Sequence, residues 1–338
     1  MSLARDRPAR VTLVGAVVLA SVGLVIVQCV LIVAAHPHFI GIDAYTYMAA
    51  GERLNAGHAL YALSPGDRPV VLMPPYWTVP FLYPPFMAVL WRPLAVLPGG
   101  IALILWWAAA LVVLAWGLAM VATRPGFAIA LVVALLSWAI ASQALAANVD
   151  VWILVATLLM WRMSDGHRER GVGVLVALII AVKLTPVVFA WWLLVERRWS
   201  ALRWMCIALA VCGLVSILGA GLGAHFEYLR ILTQTSSASA TPLSLAGIAT
   251  SLGMPHVVTN WVTPAALGAS LIAMFILRDR PMPLFAMAVV ASVFGSPVVS
   301  GTSQMRLLAV LAPAAHPQAH RLHMPRSAAT APMAVPRT

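Results

Sequence analysis

Two ionisable residues stand where an apolar sequence has little reason to carry them. Asp43 follows the first long apolar run, in Gly41-Ile-Asp-Ala-Tyr45-Thr-Tyr47, and Lys183 falls near the middle of another, in Ile180-Ala-Val-Lys183-Leu-Thr-Pro186. Partial desolvation raises the pKa of a carboxyl group and strengthens its hold on a proton, which suits Asp43 to act as general base toward a hydroxyl. The same residue is also placed to cap a surface helix beginning near Ala44. An ammonium inside an apolar segment costs about 2.5–3.5 kcal/mol even on the lenient insertion scale, so Lys183 needs a partner or an aqueous pocket. A phosphate is a good partner. Pairing with a carboxylate such as Asp150, or snorkelling to the interface, would also satisfy it.

Between these two residues lies a crowd of aromatics: Tyr45, Tyr47, Tyr61, Tyr76, Trp77, Phe81 and Tyr83. Aromatic rings stack on sugar faces, and interfacial belts of membrane proteins use the same residues. The motifs of soluble catalysis are absent: there is no Gly-rich phosphate loop, no His-Glu-x-x-His and no spaced Cys pair. Cys29, Cys206 and Cys212 all lie in apolar runs and read as buried free thiols. No cluster of acidic residues is available to hold a metal, so neither a metal nor another cofactor is implied.

The elements that must position Asp43 and Lys183 are set by composition. Hydrophobic residues make up 62% of the 338 and charged residues only 9%, whereas a soluble domain has about 25% charged residues. Apolar runs recur along the whole chain, so a cleaved signal peptide does not account for them. The remaining solvent for so much Leu, Val, Ala and Trp is lipid, and the expected fold is an all-α, polytopic integral membrane protein. The formal net charge of +11 comes as short basic clusters between apolar runs. That is the pattern of cytoplasmic loops and not of a nucleic-acid-binding stripe.

Val11–Ala35 reads as the first span, with Arg5, Arg7 and Arg10 before it favouring a cytoplasmic N-terminus. His36–Phe81 is then an outer loop, long enough for one or two short surface helices. Tyr83–Pro98 is apolar but broken by Pro84, Pro85, Arg92, Pro93 and Pro98, and is expected to rest in the outer interface. Ile101–Ala122, Phe127–Ala147 and Val149–Trp161 follow as spans, which places Arg124 and the Arg162–Arg170 cluster inside. Gly171–Val195 has basic residues at both ends. It is either one tilted helix or two half-helices meeting at Lys183-Leu-Thr-Pro186, and the second arrangement puts both ends in the cytoplasm. Trp204–Leu222, Ala265–Leu277 and Pro283–Val299 complete the spans, with a second outer loop over Gly223–Asn260. Residues 1–316 form one transmembrane domain on this reading, and the basic tail 317–338 is expected to be disordered.

Asp43-Ala-Tyr45 with Leu54-Asn-Ala-Gly57-His-Ala-Leu-Tyr61, Phe81-Leu-Tyr83-Pro-Pro-Phe86, Arg92-Pro-Leu-Ala-Val-Leu-Pro98, and Ile180-Ala-Val-Lys183-Leu-Thr-Pro186 followed by Glu196-Arg-Arg-Trp199 form an ordered set. The set resembles the polyprenyl-phosphate-mannose-dependent α-(1→2)-mannosyltransferases, glycosyltransferase family 87 of the C-type superfamily, and the resemblance thins beyond about Trp204. It implies a multi-pass cell-membrane enzyme with its active site on the extracytoplasmic side. The donor would be a polyprenyl-phosphate sugar and the acceptor a hydroxyl of a lipid-anchored or cell-wall glycan. Asp43 is carried over as base and Lys183 toward the donor phosphate with Tyr83 near the outer mouth, while Tyr45 and Tyr61 are candidates for substrate contact. Where family members often have Ser-Pro followed by Trp and His, this chain has Ser296-Pro-Val-Val-Ser300-Gly-Thr-Ser-Gln304. A non-catalytic partner of glycan synthesis and a lipid-linked-sugar transporter stand as the alternative functions.

Overall fold

The computed structural model describes residues 6–61, 71–73, 77–78, 81–121, 132–165, 168–238, 241–296 and 298–315. The apolar runs are helical, as they must be where no water is available to satisfy a bare backbone. In chain order the main helices are α1 (Asp6–Ala35), α2 (Ile42–Asn55), α3 (Pro85–Trp91), α4 (Gly99–Val121), α5 (Ser137–Ala146) and α6 (Asp150–Asp165). They continue with α7 (Glu169–Val182), α8 (Val188–Val195), α9 (Trp199–Ala238), α10 (Leu245–Ser251), α11 (His256–Ile276) and α12 (Pro281–Phe294). Gly99–Met120, Trp199–Leu232 and His256–Asp279 are each long and apolar enough to cross a bilayer. Their outer faces carry residues such as Leu218, Val257 and Ile276, each more than 70% exposed, and such a surface is stable only under lipid.

The segment 36–81 holds the surface helix α2 and two short strands, Val71–Met73 pairing antiparallel with Trp77–Thr78. The prolines leave α3 only seven residues long, about 10 Å of helix and too short to cross. Gly51 of α2 faces Trp91 of α3 so closely that a Cβ would meet the Trp91 carbonyl. Of the span expected over Phe127–Ala147, residues up to 131 lie outside the described part; the rest is helical with an interruption at Leu136.

Lys183 marks a break, not a kink. The chain is helical to Val182, extended at Lys183 (φ −152°, ψ 128°), forms a 3-10 turn over Thr185–Val187 and is helical again from Val188. Arg198, just past α8, returns to Glu169 at the start of α7, with Nε 3.1 Å from each carboxylate oxygen, and also meets Ser164 at the end of α6. The two half-helices therefore form a V whose open ends lie on one side. Fourteen residues of α7 rise about 21 Å, which sets Lys183 that far along the helix axis from the open ends of the V. Because α6 runs antiparallel to α7, Asp150 at its start lies beside Lys183.

Gly173 lets α7 and α9 touch: a Cβ there would run into the backbone of Ala201 and Met205. Gly173→Val is therefore expected to destabilise by about 1–3 kcal/mol through overpacking. The loss should be read as a lower thermal aggregation temperature in detergent. Gly213→Ala, with open space around it, is the control expected to leave that temperature unchanged.

The outer loop expected over Gly223–Asn260 is instead largely helical. Helix α9 runs through it to Ala238, α10 occupies Leu245–Ser251, and α11 begins at His256. Its Ser, Thr and Gly content reads as loop, but Ala224 and Tyr228 repeat at i, i+4 and bury one face against Leu54, Leu60 and Tyr61. The boundary lies at Gly221, whose φ of 81° interrupts α9 in a conformation glycine adopts without a Cβ clash. Arg92 Nη1 donates to the freed Gly219 carbonyl at 2.9 Å, and His225 Nδ1 donates to the Gly221 carbonyl at 3.0 Å. Near the C-terminal end, Met305–Leu311 is a 3-10 turn with Leu308 and Ala309 fully buried. The tail 317–338 lies outside the described residues.

Candidate active site

The site assembles where α1, α2, α5, α6 and the Lys183 break come together. Helix α1 ends at Ala35, a 3-10 turn covers Pro37–Phe39, and Gly41 in the left-handed region starts α2. Its N–H donates to the Leu145 carbonyl at 2.8 Å, which ties the start of α2 to the end of α5. Asp43 lies in the first turn of α2, but the cap position is Gly41 and no side chain caps the helix. The capping role open to Asp43 is thus not the one it takes.

Its carboxylate instead lies beside the Asn148 side chain, which favours the charged form. Burial pushes the Asp43 pKa up to about 6, against the neighbouring Asn148 amide and the positive charge of Lys183, which both pull it down, while Asp150 adds to the rise. A carboxyl group so tuned is ionised at neutral pH yet holds a proton well, as a general base must.

Asn148 is the hub. Ala147, with φ of 54°, turns the chain sharply between α5 and α6, and its carbonyl accepts from the Trp106 indole at 2.7 Å. Gln143 Nε2 donates to the Asn148 carbonyl at 2.7 Å. With its backbone held, Asn148 extends Nδ2 to the Tyr83 hydroxyl at 2.9 Å and accepts the Asp150 N–H on Oδ1 at 2.9 Å. Tyr47 packs edge-on against Tyr83 with ring centroids 4.9 Å apart and accepts the Val149 N–H.

Beyond Asn148 is an ion cluster. Lys183 Nζ lies 2.8 Å from Asp150 Oδ2 and 3.2 Å from Ser303 Oγ, and 5.8 Å from the Tyr83 ring centroid. Thr302 and Ser303 also donate to Asp150 Oδ2, at 3.2 and 3.0 Å. Arg306 Nε stands 3.3 Å from Asp150 Oδ1, and its Nη1 donates to Thr185 Oγ1 at 3.2 Å. The carboxylate partner open to Lys183 in sequence, Asp150, is the one it pairs with. Its ammonium also faces the space shared by Tyr83 and the electrostatic reach of Asp43.

Asp43, Tyr83 and Lys183 are thus brought together. Tyr61 reaches the site's edge: its hydroxyl donates to the Tyr83 carbonyl at 2.7 Å, and its ring stacks on Tyr228 and leans on Phe81. Tyr45 stands apart, 44% exposed with its ring beside Gly41. Two residues along a helix put about 200° between it and Asp43, so both cannot face one pocket. Asn148, Arg306, Thr302 and Ser303 were not singled out as site residues from the sequence. The signal was there in Asn148-Val-Asp150 and Ser300-Gly-Thr-Ser-Gln304-Met-Arg306, two polar islands among apolar runs.

Apolar helices, a V-shaped pair of half-helices and a buried ion cluster at one end of the bundle define an α-helical polytopic membrane protein built around a polar site. The family model for glycosyltransferase family 87 matches residues 81–301, and the chain belongs to that family. The matched stretch contains Tyr83, Asn148, Asp150 and Lys183, while Asp43 and Arg306 lie outside it. Among curated relatives, a polyprenol-phosphate-mannose-dependent alpha-(1-2)-phosphatidylinositol pentamannoside mannosyltransferase of Mycolicibacterium smegmatis is 29% identical over 165 residues, covering 47% of this chain and 39% of that protein. The protein of the same name from Mycobacterium tuberculosis is 26% identical over 199 residues, 56% of this chain and 44% of that one. The chain thus aligns with less than half the length of either relative. No solved structure matches it.

Proposed function

We propose that the chain is a membrane mannosyltransferase that moves mannose from polyprenyl-phosphate-mannose to a hydroxyl of a lipid-anchored or cell-wall glycan, forming an α-(1→2) link on the extracytoplasmic face. The observation that carries this reading is the meeting of Asp43 and Lys183 around Asn148 and Tyr83. On this reading Asp43 takes the proton of the acceptor hydroxyl, whose oxygen attacks the anomeric carbon. The bond from that carbon to the phosphate oxygen breaks, and its electron pair leaves with polyprenyl phosphate. Lys183 faces the charge that grows on the leaving oxygen. Tyr83 and Tyr61 line the approach, and the activity named for the two mycobacterial relatives supports the donor and the linkage.

The test is transfer itself. Membranes containing the chain, given radiolabelled polyprenyl-phosphate-mannose, are expected to place label in a glycolipid or glycan fraction. Movement of intact labelled donor across the bilayer without transfer would make the chain a transporter instead. Absence of both would leave a non-catalytic partner.

Sidedness has its own expected result. The open end of the V carries Arg168, Arg170, Arg197 and Arg198, which favours the cytoplasm, and Asp43 belongs to the opposite end. In a parent with Cys29, Cys206 and Cys212 replaced, an impermeant thiol reagent added outside should label His58→Cys and spare Arg168→Cys. The reverse pattern would move Asp43 to the cytoplasmic face.

A further inference from the structure

The Lys183–Asp150–Arg306 trio is an unusual way to bind a phosphate, because a carboxylate is buried between the two cations. Asp150 is 0% exposed and Arg306 3%, while the Lys183 side chain keeps 16%. Lys183 is therefore the member a ligand can touch, and the other two lie behind it. Their formal charges sum to +1. A phosphate oxygen hydrogen-bonded to the Lys183 ammonium would sit within roughly 5 Å of Asp150 Oδ2, given ordinary hydrogen-bond lengths. At that range every unit of ligand charge is repelled by Asp150 as well as attracted by the two cations.

We propose that Asp150 is a specificity-determining residue that matches the charge of the Lys183–Asp150–Arg306 cluster to a phosphodiester monoanion and against a phosphomonoester dianion, with Arg306 as its counterweight. The inference rests on the donor reading above. The lipid-phosphate sugar is a phosphodiester with one negative charge. The lipid phosphate left after transfer is a monoester that approaches two at neutral pH. A site with Lys183 and Arg306 alone would hold that dianion more tightly than the donor and release it slowly. Asp150 removes part of that preference. Thr302 and Ser303, both donating to Asp150 Oδ2, help keep the carboxylate charged and in place.

Asp150 and Arg306 act through Lys183, so the readout must be one that structural damage does not imitate. The full chain in lipid nanodiscs is titrated with two probes: a short-chain polyprenyl phosphate, and its methyl phosphodiester, which has no sugar to transfer. The quantity read is the ratio of their dissociation constants. Asp150→Asn is expected to tighten the monoester relative to the diester by about tenfold or more, the scale set by one charge at this separation between surface and buried dielectric. Arg306→Gln is expected to move the ratio in the opposite direction by a similar factor. The Asp150→Asn/Arg306→Gln double variant, whose net charge equals the parent's, should restore the parent ratio.

General damage would weaken both probes in both variants and could not give opposite signs. An unmoved ratio, or shifts of the same sign, overturns the inference while leaving the donor reading intact. If Asp150→Asn fails to accumulate, the Arg306→Gln and double variants still decide it through the same ratio. A parent chain that binds neither probe overturns the donor reading and the inference with it.

Discussion

Asp43→Asn is expected to slow sugar transfer about 10²–10⁴-fold, the range that general-base catalysis supplies, while the protein still inserts and accumulates. The substitution keeps the size and polarity of the side chain but removes the group that takes a proton. Burial has already raised the Asp43 pKa to about 6, so folding demands little of its negative charge, and the neutral amide costs the fold little. The pH dependence follows with a definite sign. The carboxylate is the active form, so the parent rate should rise as pH increases through about 6 and level off above it. The residual rate of Asp43→Asn should lack that limb. Initial rates of label transfer from polyprenyl-phosphate-mannose, measured between about pH 5 and 8 and normalised to membrane abundance, check both points. A variant with near-parent turnover would leave Asp43 a spectator on the surface helix.

Lys183→Met is expected to reduce transfer per molecule about 10²–10³-fold, the cost typical of removing one donor aimed at a developing oxyanion. Here the tertiary structure changes what should accompany the loss. The apolar stem is preserved and a costly charge leaves the membrane, which favours insertion. Asp150 Oδ2, however, loses its 2.8 Å ammonium partner. Breaking a buried pair generally costs about 3–5 kcal/mol because the remaining charge is stranded. Asp150 is not stranded, since Arg306, Thr302 and Ser303 still hold it. Abundance should therefore fall modestly while activity collapses. Lys183→Arg should restore abundance but only part of the rate, because a planar fork does not reproduce a point charge. Immunoblotting of membranes together with transfer rates separates the two effects. Full specific activity in the Met variant would confine Lys183 to holding α6 and α7 together.

The two predictions depend on different amounts of structure. Asp43 was legible as a candidate base because it follows the first apolar run, a purely local signal. Its alternative as a helix cap could be settled only when Gly41 took the cap position and no side chain capped α2. Tyr45 shows the converse. It looked equivalent to its aromatic neighbours in sequence, but the helical turn of α2 places it away from Asp43.

What the sequence by itself determined is the solvent and, through it, the secondary structure. With 62% hydrophobic residues, the chain must lie in lipid, and lipid permits helices because it leaves no backbone group to water. Local grammar went further: prolines shortened α3, and Lys183 with Pro186 marked the place where α7 and α8 part. The polar stretch 223–260 misled because loop composition is a local average, whereas the burial of Ala224 and Tyr228 depends on the partner they meet. Sequence offered Asp150 as one of several partners for Lys183, 33 positions on, and tertiary structure decided both that pairing and the sharing of the carboxylate with Ser303, 153 positions on. Hydropathy records the cost of burying each charge. It carries no record of which opposite charge will be folded against it, because that follows from the antiparallel run of α6 and α7 and from the close crossing at Gly173.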